Sequence, residues 1–220
     1  MFDSSVVQML LVGIKDTLYM TIGSTVIGYV IGMPLGILLN LTGEKGLKPN
    51  KVVYRILDII CNIIRSIPFL ILLILLIPFT RFVVGQSYGS TATIVPLVVC
   101  ACAYIGRVVE SSLNEVDQGV IEAAKSMGAS NTQIIFKVIL VEARTSLITG
   151  FTITTGLLLG YSAMSGTVGG GGLGDIAVRY GYYRWQADIM IVTVILLIVI
   201  FQIIQYVGTK VATGMDHRKR

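Results

Sequence analysis

Charged residues are scarce in this chain of 220 residues. Asp, Glu, Lys and Arg make up 13% of the sequence, whereas a soluble domain usually contains about 25%. Hydrophobic residues make up 54%, and the mean hydropathy is +0.82. The deficit of charge argues against a soluble enzyme. The length fits one domain, and the composition indicates that lipid is its main solvent.

Residues that commonly bind metals are scarce as well. The chain has one histidine, His217 in the charged tail, and three cysteines, Cys61, Cys100 and Cys102, all in apolar stretches. An odd number of such cysteines provides no disulfide framework. Cys100 and Cys102 are separated by one residue, which puts their thiols on different sides of a helix. We therefore predict packing roles for the cysteines and no metal site, which disfavours haem-dependent and zinc-dependent enzymes.

Five apolar runs predict an all-α integral membrane protein with five transmembrane helices, forming one domain over residues 1–220. A run of about 20 apolar residues crosses ~30 Å of hydrocarbon. The first run is expected to be a mature span, because the N-terminus MFDSS is acidic rather than basic. The predicted spans comprise residues 17–39, 67–84, 91–109, 146–168 and 187–208.

Residues 52–65, between the first two predicted spans, mix apolar side chains with Asp58, Asn62 and Arg65. Asp58 and Arg65 are seven positions apart, so they share a helix face. We predict a partly interfacial helix here. Arg65 is expected either to snorkel to the membrane surface or to form an ion pair with Asp58 or with a neighbouring helix.

The distribution of lysine and arginine predicts the orientation. Twelve of the 17 lie on one side of the predicted spans and four on the other, with Arg65 left unassigned. The positive-inside rule then puts the N-terminus outside and the C-terminus inside, with residues 110–144 in the cytoplasm and a loop over residues 169–186 outside. The twelve are Lys45, Lys48, Lys51, Arg55, Arg107, Lys125, Lys137, Arg144, Lys210, Arg218, Lys219 and Arg220.

The polar segment 110–144 has helical character. The sequence VIEAAKSM favours a helix that Gly128 would end, and Ser130 or Asn131 can cap a second helix. That second helix would carry apolar residues at helical spacing. The pattern predicts two short helices at the membrane surface, joined at an angle. They could insert into a groove on a partner protein or lie on the lipid as an interfacial pair.

Two glycine patterns have structural explanations. Gly28, Gly32 and Gly36 follow a small-xxx-small spacing on the first span, which predicts close helix packing. Residues 169–174 resemble a phosphate-binding loop only superficially, because they lie between two apolar spans on the predicted outer side. Close backbone approach or an external turn is the favoured interpretation. A flexible gate or a seat for a delivered binding protein is the alternative.

The motif Glu122-Ala123-Ala124, followed after three residues by Gly128, resembles the signature loop of bacterial ABC-importer permeases. The family pattern ends in a proline where this chain has Val141. The resemblance implies a coupling helix that fits a cleft in a cytoplasmic ATPase subunit. The residues expected to dock there are Glu122, Ala123, Ala124, Met127 and Gly128.

Further motifs resemble methionine-uptake permeases: Arg65-Ser66-Ile67-Pro68-Phe69 (RSIPF), GYSAM over residues 160–164, and VGGGGLG over residues 168–174. The likeness covers nearly the whole chain. Polar and aromatic groups within spans often mark substrate routes. We therefore predict a pathway or gate at the outer part of the fourth span, with ordinary helix packing as the alternative. Its residues would be Tyr161, Ser162, Met164 and Ser165.

Together the resemblances imply the membrane-spanning subunit of an ATP-driven importer for methionine in the bacterial inner membrane. Two copies would form the pathway, two ATPase subunits would hold ATP and Mg, and an external lipoprotein would deliver the substrate. The chain itself would be no enzyme, hold no cofactor and bind no nucleic acid. The alternatives are a permease for another amino acid, a compatible solute or a phosphonate. A secondary transporter is disfavoured, because neither intramembrane acidic groups nor inverted repeats are evident in the sequence.

Overall fold

The computed structural model describes residues 3–215, whose regular secondary structure is entirely helical and includes no strand. This confirms the predicted all-α class. His217 and the basic residues 218–220 lie outside the described residues. The α-helices are α1 (Ser4–Thr42), α2 (Lys51–Ser66), α3 (Phe69–Leu75), α4 (Ile77–Val84), α5 (Ser90–Asn114), α6 (Gln118–Ser126), α7 (Asn131–Gln133), α8 (Leu140–Glu142), α9 (Arg144–Ser165), α10 (Gly172–Ile176) and α11 (Ala187–Gly214).

Three further segments, one of 3₁₀-helix and two of π-helix, connect these α-helices. A π-helical segment (Ile134–Ile139) joins α7 to α8, a 3₁₀ turn (Gly166–Val168) extends α9, and a second π-helical segment (Ala177–Tyr182) follows α10. Four segments are long and apolar enough to cross a membrane, and a fifth is added if the bent pair α2 and α3 counts as one span. Helix α1 alone is about 58 Å long at 1.5 Å per residue and begins well before residue 17.

The second span differs from its prediction. The sequence predicts one helix over residues 67–84, but the structure breaks it at Leu76 into α3 and α4, and α2 meets α3 at 103°. The bend lies at Ile67 and Pro68. Steric contact with a proline ring drives the preceding residue out of the helical region, and Ile67 is accordingly extended at φ −82°, ψ 125°.

The predicted loop 169–186 is helical in its first part. Helix α10 packs against α1, with Leu173 and Ile176 buried beside Leu10, and the following π-helical segment packs against α11. The chain can turn back directly after α9 because Gly169 and Gly171 adopt positive φ angles of 79° and 82°. At the other end of the molecule, α5 continues through residues 110–114, so the polar segment is shorter than predicted.

The most extensive helix contact joins α1 to α5. The structure places Gly28, Gly32 and Gly36 on the face of α1 that meets α5. A Cβ atom on Gly36 would lie 2.6 Å from the carbonyl oxygen of Gly106, so the two backbones approach more closely than any larger residue allows. The opposite faces are apolar but exposed, and only 17% of the most apolar window of α11 is buried within the chain. Such faces suit lipid or a second membrane subunit.

Candidate functional site

The segment that carries the Glu-Ala-Ala motif folds as two capped helices. The Asp117 carboxylate accepts the Gly119 N–H at 2.7 Å and caps α6. Ser130 caps α7, because its hydroxyl accepts the Gln133 N–H at 3.3 Å while the Gln133 side chain accepts the Ser130 N–H at 2.8 Å. Of the two candidate caps, Ser130 is therefore the one used.

One face of this helix pair packs on the protein core. Ile121 and Ala124 of α6 are 6% and 5% exposed and belong to the same apolar cluster as Leu113 at the end of α5. Ile134 and Ile139, in the π-helical segment, complete that cluster. The pair is thus held rigidly at the end of α5, since buried side chains from both of its halves and from α5 form one continuous core.

The opposite face presents four of the five predicted docking residues to solvent: Glu122, Ala123, Met127 and Gly128. We call these four residues the docking knob. The fifth, Ala124, is turned inward. Met127 has 82% of its surface exposed, which is unusual for a large apolar side chain outside a lipid-facing helix. A flexible thioether at the tip of a rigid knob suits insertion into an apolar groove.

Gly128 ends α6 in a left-handed conformation with φ 80°. A Cβ atom there would meet nothing within 4 Å, so a substitution brings backbone strain without a steric clash. We expect Gly128→Ala to destabilise the loop by about 1–2 kcal/mol, and Gly128→Asn to cost less because asparagine tolerates this conformation. Hydrogen exchange of the amides in residues 118–133 would measure the difference. Equal exchange in Gly128→Ala and wild type would contradict it.

Val141, at the position of the family's proline, lies within α8 and is 49% exposed. Valine keeps the backbone N–H that proline lacks, so the helical backbone can continue from the π-helical segment into α8 without losing a donor.

The four predicted pathway residues are not all turned the same way. Tyr161 stacks on Phe69 of α3, with ring centroids 4.6 Å apart and an interplanar angle of 6°. Met164 lies one turn further along α9 and is 44% exposed. Ser162 and Ser165, in contrast, are buried. Helical periodicity separates the two pairs, because residues three apart share a side whereas neighbours do not.

The two buried serines have hydrogen-bond partners inside the protein. The Ser162 hydroxyl donates to the Leu159 carbonyl oxygen at 2.8 Å and lies 3.4 Å from the Thr21 hydroxyl of α1. The Ser165 hydroxyl donates to the carbonyl oxygen of Ser162 at 2.7 Å. These hydroxyls already have partners inside the protein, whereas Tyr161 is half-buried and Met164 is exposed.

The glycine-rich turn is a site of close backbone approach. A Cβ atom on Gly174 would overlap the carbonyl group of Ala163 in α9, and one on Gly166 would overlap the backbone of residues 174 and 175. The Leu173 N–H donates to the Thr17 hydroxyl at 2.9 Å. These contacts turn the backbone of the run toward α1 and α9, which is the close backbone approach that the sequence favours.

An ion cluster was missed by the sequence analysis. Arg107 of α5 binds the carboxylates of Asp58 in α2 and Glu110 in α5. Arg65, considered as a partner for Asp58, instead lies over the ring of Tyr104, 5.5 Å from its centroid. The available signal was the pair Arg107 and Glu110, two opposite charges three positions apart at the end of an apolar run.

Comparison with known proteins agrees with these features. Residues 32–211 match the family model described as "Binding-protein-dependent transport system inner membrane component". A probable D-methionine transport system permease protein from Vibrio cholerae is 48% identical over 211 residues, covering 96% of this chain and 94% of that protein. The methionine import system permease protein from Bacillus subtilis is 45% identical over 203 residues, covering 92% and 91%.

A solved structure matches equally well. A chain of the MetNI methionine ABC transporter, in an inward-facing conformation, superposes with a TM-score of 0.96 at 44% sequence identity. The match covers 98% of this chain and 100% of the other.

Proposed function

Since this chain belongs to the family of binding-protein-dependent transport system inner membrane components, we propose that it is the membrane-spanning subunit of an ATP-driven methionine importer. The observation that carries this function is the likeness to methionine permeases along nearly the whole chain, in sequence and in fold. The family assignment decides against a secondary transporter.

The work is divided between subunits. The chain is a transport subunit and no enzyme, because ATP is hydrolysed by a separate ATPase. It resides in the bacterial inner membrane, acts as a homodimer with two ATPase subunits, and receives solute from an external binding protein. We assign ATP and Mg to the ATPase subunits.

In this assignment the docking knob enters a cleft on the ATPase, with Met127 as the apolar anchor and Glu122 as the charged contact. Closure of the ATPase pair on ATP would displace the knob and switch the pathway between its two faces. Tyr161 and Met164 would then line or gate the pathway formed by two copies of α9. The charge distribution supports an orientation with the docking knob in the cytoplasm and the N-terminus outside.

The function is tested by uptake into vesicles. The purified chain, its ATPase and its binding lipoprotein are reconstituted, and uptake of labelled D- and L-methionine is measured with and without internal ATP. We expect ATP-dependent uptake that unlabelled methionine suppresses and that a compatible solute or an alkylphosphonate does not. Uptake that persists without the ATPase, or that one of those other solutes suppresses, would contradict the proposal.

A further inference from the structure

Helices α2 and α5 are joined by an ion cluster, which we call the Arg107 cluster: Asp58, Asn62, Arg107 and Glu110. The guanidinium of Arg107 donates to the carboxylate of Asp58, to Asn62 Oδ1 at 3.2 Å and to Glu110 Oε2 at 2.6 Å. The side chains of Arg107 and Glu110 are only 19% and 8% exposed. Charges screened so little by water attract strongly, and removing one partner leaves the others buried and uncompensated.

On one side the cluster leads to the docking knob. Arg107 and Glu110 lie in the last two turns of α5, which ends at Asn114. The apolar core then continues through Leu113 and Val116 into α6. A displacement of the knob must therefore move the end of α5 that holds Arg107, because no flexible linker separates them.

On the other side the cluster leads to the predicted pathway. Asp58 lies on α2, which passes through the 103° bend at Pro68 directly into α3. The first residue of α3 is Phe69, whose ring is 4% exposed and lies flat on Tyr161. A shift of α2 along α5 would therefore carry Phe69 across the ring of Tyr161.

We propose that the Arg107 cluster is a positioning device that makes α2 move together with α5. Movement of the docking knob then reaches the contact between Phe69 and Tyr161. The inference rests on the function proposed above, and it concerns coupling rather than chemistry, since Arg107 acts through α2. Apolar contact alone would allow the helices to slide, whereas a planar guanidinium held by two carboxylates and an amide fixes their register.

The test compares solute imported with ATP hydrolysed in the same vesicles of the complete transporter. We expect Arg107→Gln to keep ATP hydrolysis and to lower the methionine imported per ATP by roughly 5- to 150-fold, the usual range of coupling between sites. Asp58→Asn should act in the same direction. The double variant should be no worse than Arg107→Gln, because both changes break the same contact.

Two further variants separate coupling from stability. Arg107→Lys keeps the positive charge but loses the planar guanidinium that contacts several acceptors at once. The methionine that it imports per ATP should therefore fall between the values of wild type and Arg107→Gln. Arg179→Gln removes a different ion pair, between Arg179 and Asp175 at 2.8 Å, which joins neither α2 nor α5. Its ratio should equal the wild-type ratio. A purely structural role for Arg107 would lower hydrolysis and import in proportion, and that outcome would overturn the proposal.

A second readout does not depend on which solute is carried. A reporter thiol is introduced by Met164→Cys in a chain whose three native cysteines are replaced by alanine, and its labelling rate is measured with and without ATP and vanadate. ATP should change this rate in the parent and leave it unchanged once Arg107→Gln is added. If the wild-type transporter imports no methionine, the solute assignment fails, and this comparison of labelling rates still decides the role of the cluster. An ATP-dependent change that survives Arg107→Gln would overturn it.

Discussion

Gly174→Ala should lower the apparent Tm of the detergent-purified chain by about 6–12 °C. The added methyl group would lie 2.6 Å from the Cα atom of Ala163 and would overlap the carbonyl group of that residue. Backbone atoms of a transmembrane helix cannot rotate away as a side chain would. We expect a cost of about 3 kcal/mol, the upper end for overpacking, and each kcal/mol corresponds to about 2–4 °C for a chain of this size.

Gly160→Ala is the matched control. Gly160 lies on α9, less than one turn before Ala163, and a Cβ atom there would meet nothing within 4 Å. Alanine favours a helix more than glycine does, so this variant should keep or raise the apparent Tm. Both are scanned at one heating rate, since membrane proteins often unfold irreversibly. A Gly174→Ala protein as stable as Gly160→Ala would show that α10 and α9 are not packed as described.

Met127→Asp should weaken binding of the ATPase subunit by roughly 30- to 700-fold. Met127 is the most exposed large apolar residue of the coupling segment. An apolar anchor that fills a groove contributes about 2–4 kcal/mol, and each 1.4 kcal/mol changes Kd tenfold. The carboxylate would also enter the groove without a partner. The measurement is the Kd of detergent-solubilised permease for its ATPase.

Met127→Leu controls for the loss of methionine itself. Leucine keeps the apolar volume, so the Kd should stay within a few-fold of the wild-type value. Because Met127 is exposed, neither variant should change the apparent Tm of the isolated chain. A wild-type Kd for Met127→Asp would mean that the docking knob does not enter the ATPase at this residue.

The sequence was sufficient for elements whose signal is local. Apolar length identified α1, α5, α9 and α11 as spans, because a run of that composition has no other stable environment. The ends of the coupling helices could also be predicted from the sequence, since Gly128 and a Ser130 cap act on the backbone next to them.

Elements that depend on partners far away in the chain could not be predicted from the local sequence. Residues 172–182 contain too many glycines and polar residues to predict a helix, yet they are helical because α10 packs against α1, where Thr17 accepts the Leu173 N–H, and the π-helical segment packs against α11. The break of the second span at Leu76, in contrast, has a local marker in Pro78, because proline disrupts a helix interior but is tolerated in the first turn of α4. The choice of Arg107 over Arg65 as the partner of Asp58 depends on how α2 lies across α5.

The sequence by itself determined that the chain is a multi-span membrane protein, and it located the Glu-Ala-Ala motif and the two helices that carry it. Periodicity, caps and apolar length are sufficient for that, because each acts within a few residues. Tertiary structure decided which side of each helix is available. It turned Ala124 inward and Met127 outward, buried Ser162 and Ser165 while leaving Tyr161 half-buried and Met164 exposed, and brought Arg107 to Asp58. Such choices depend on contacts between residues far apart in the chain, which only the folded arrangement of the helices brings together.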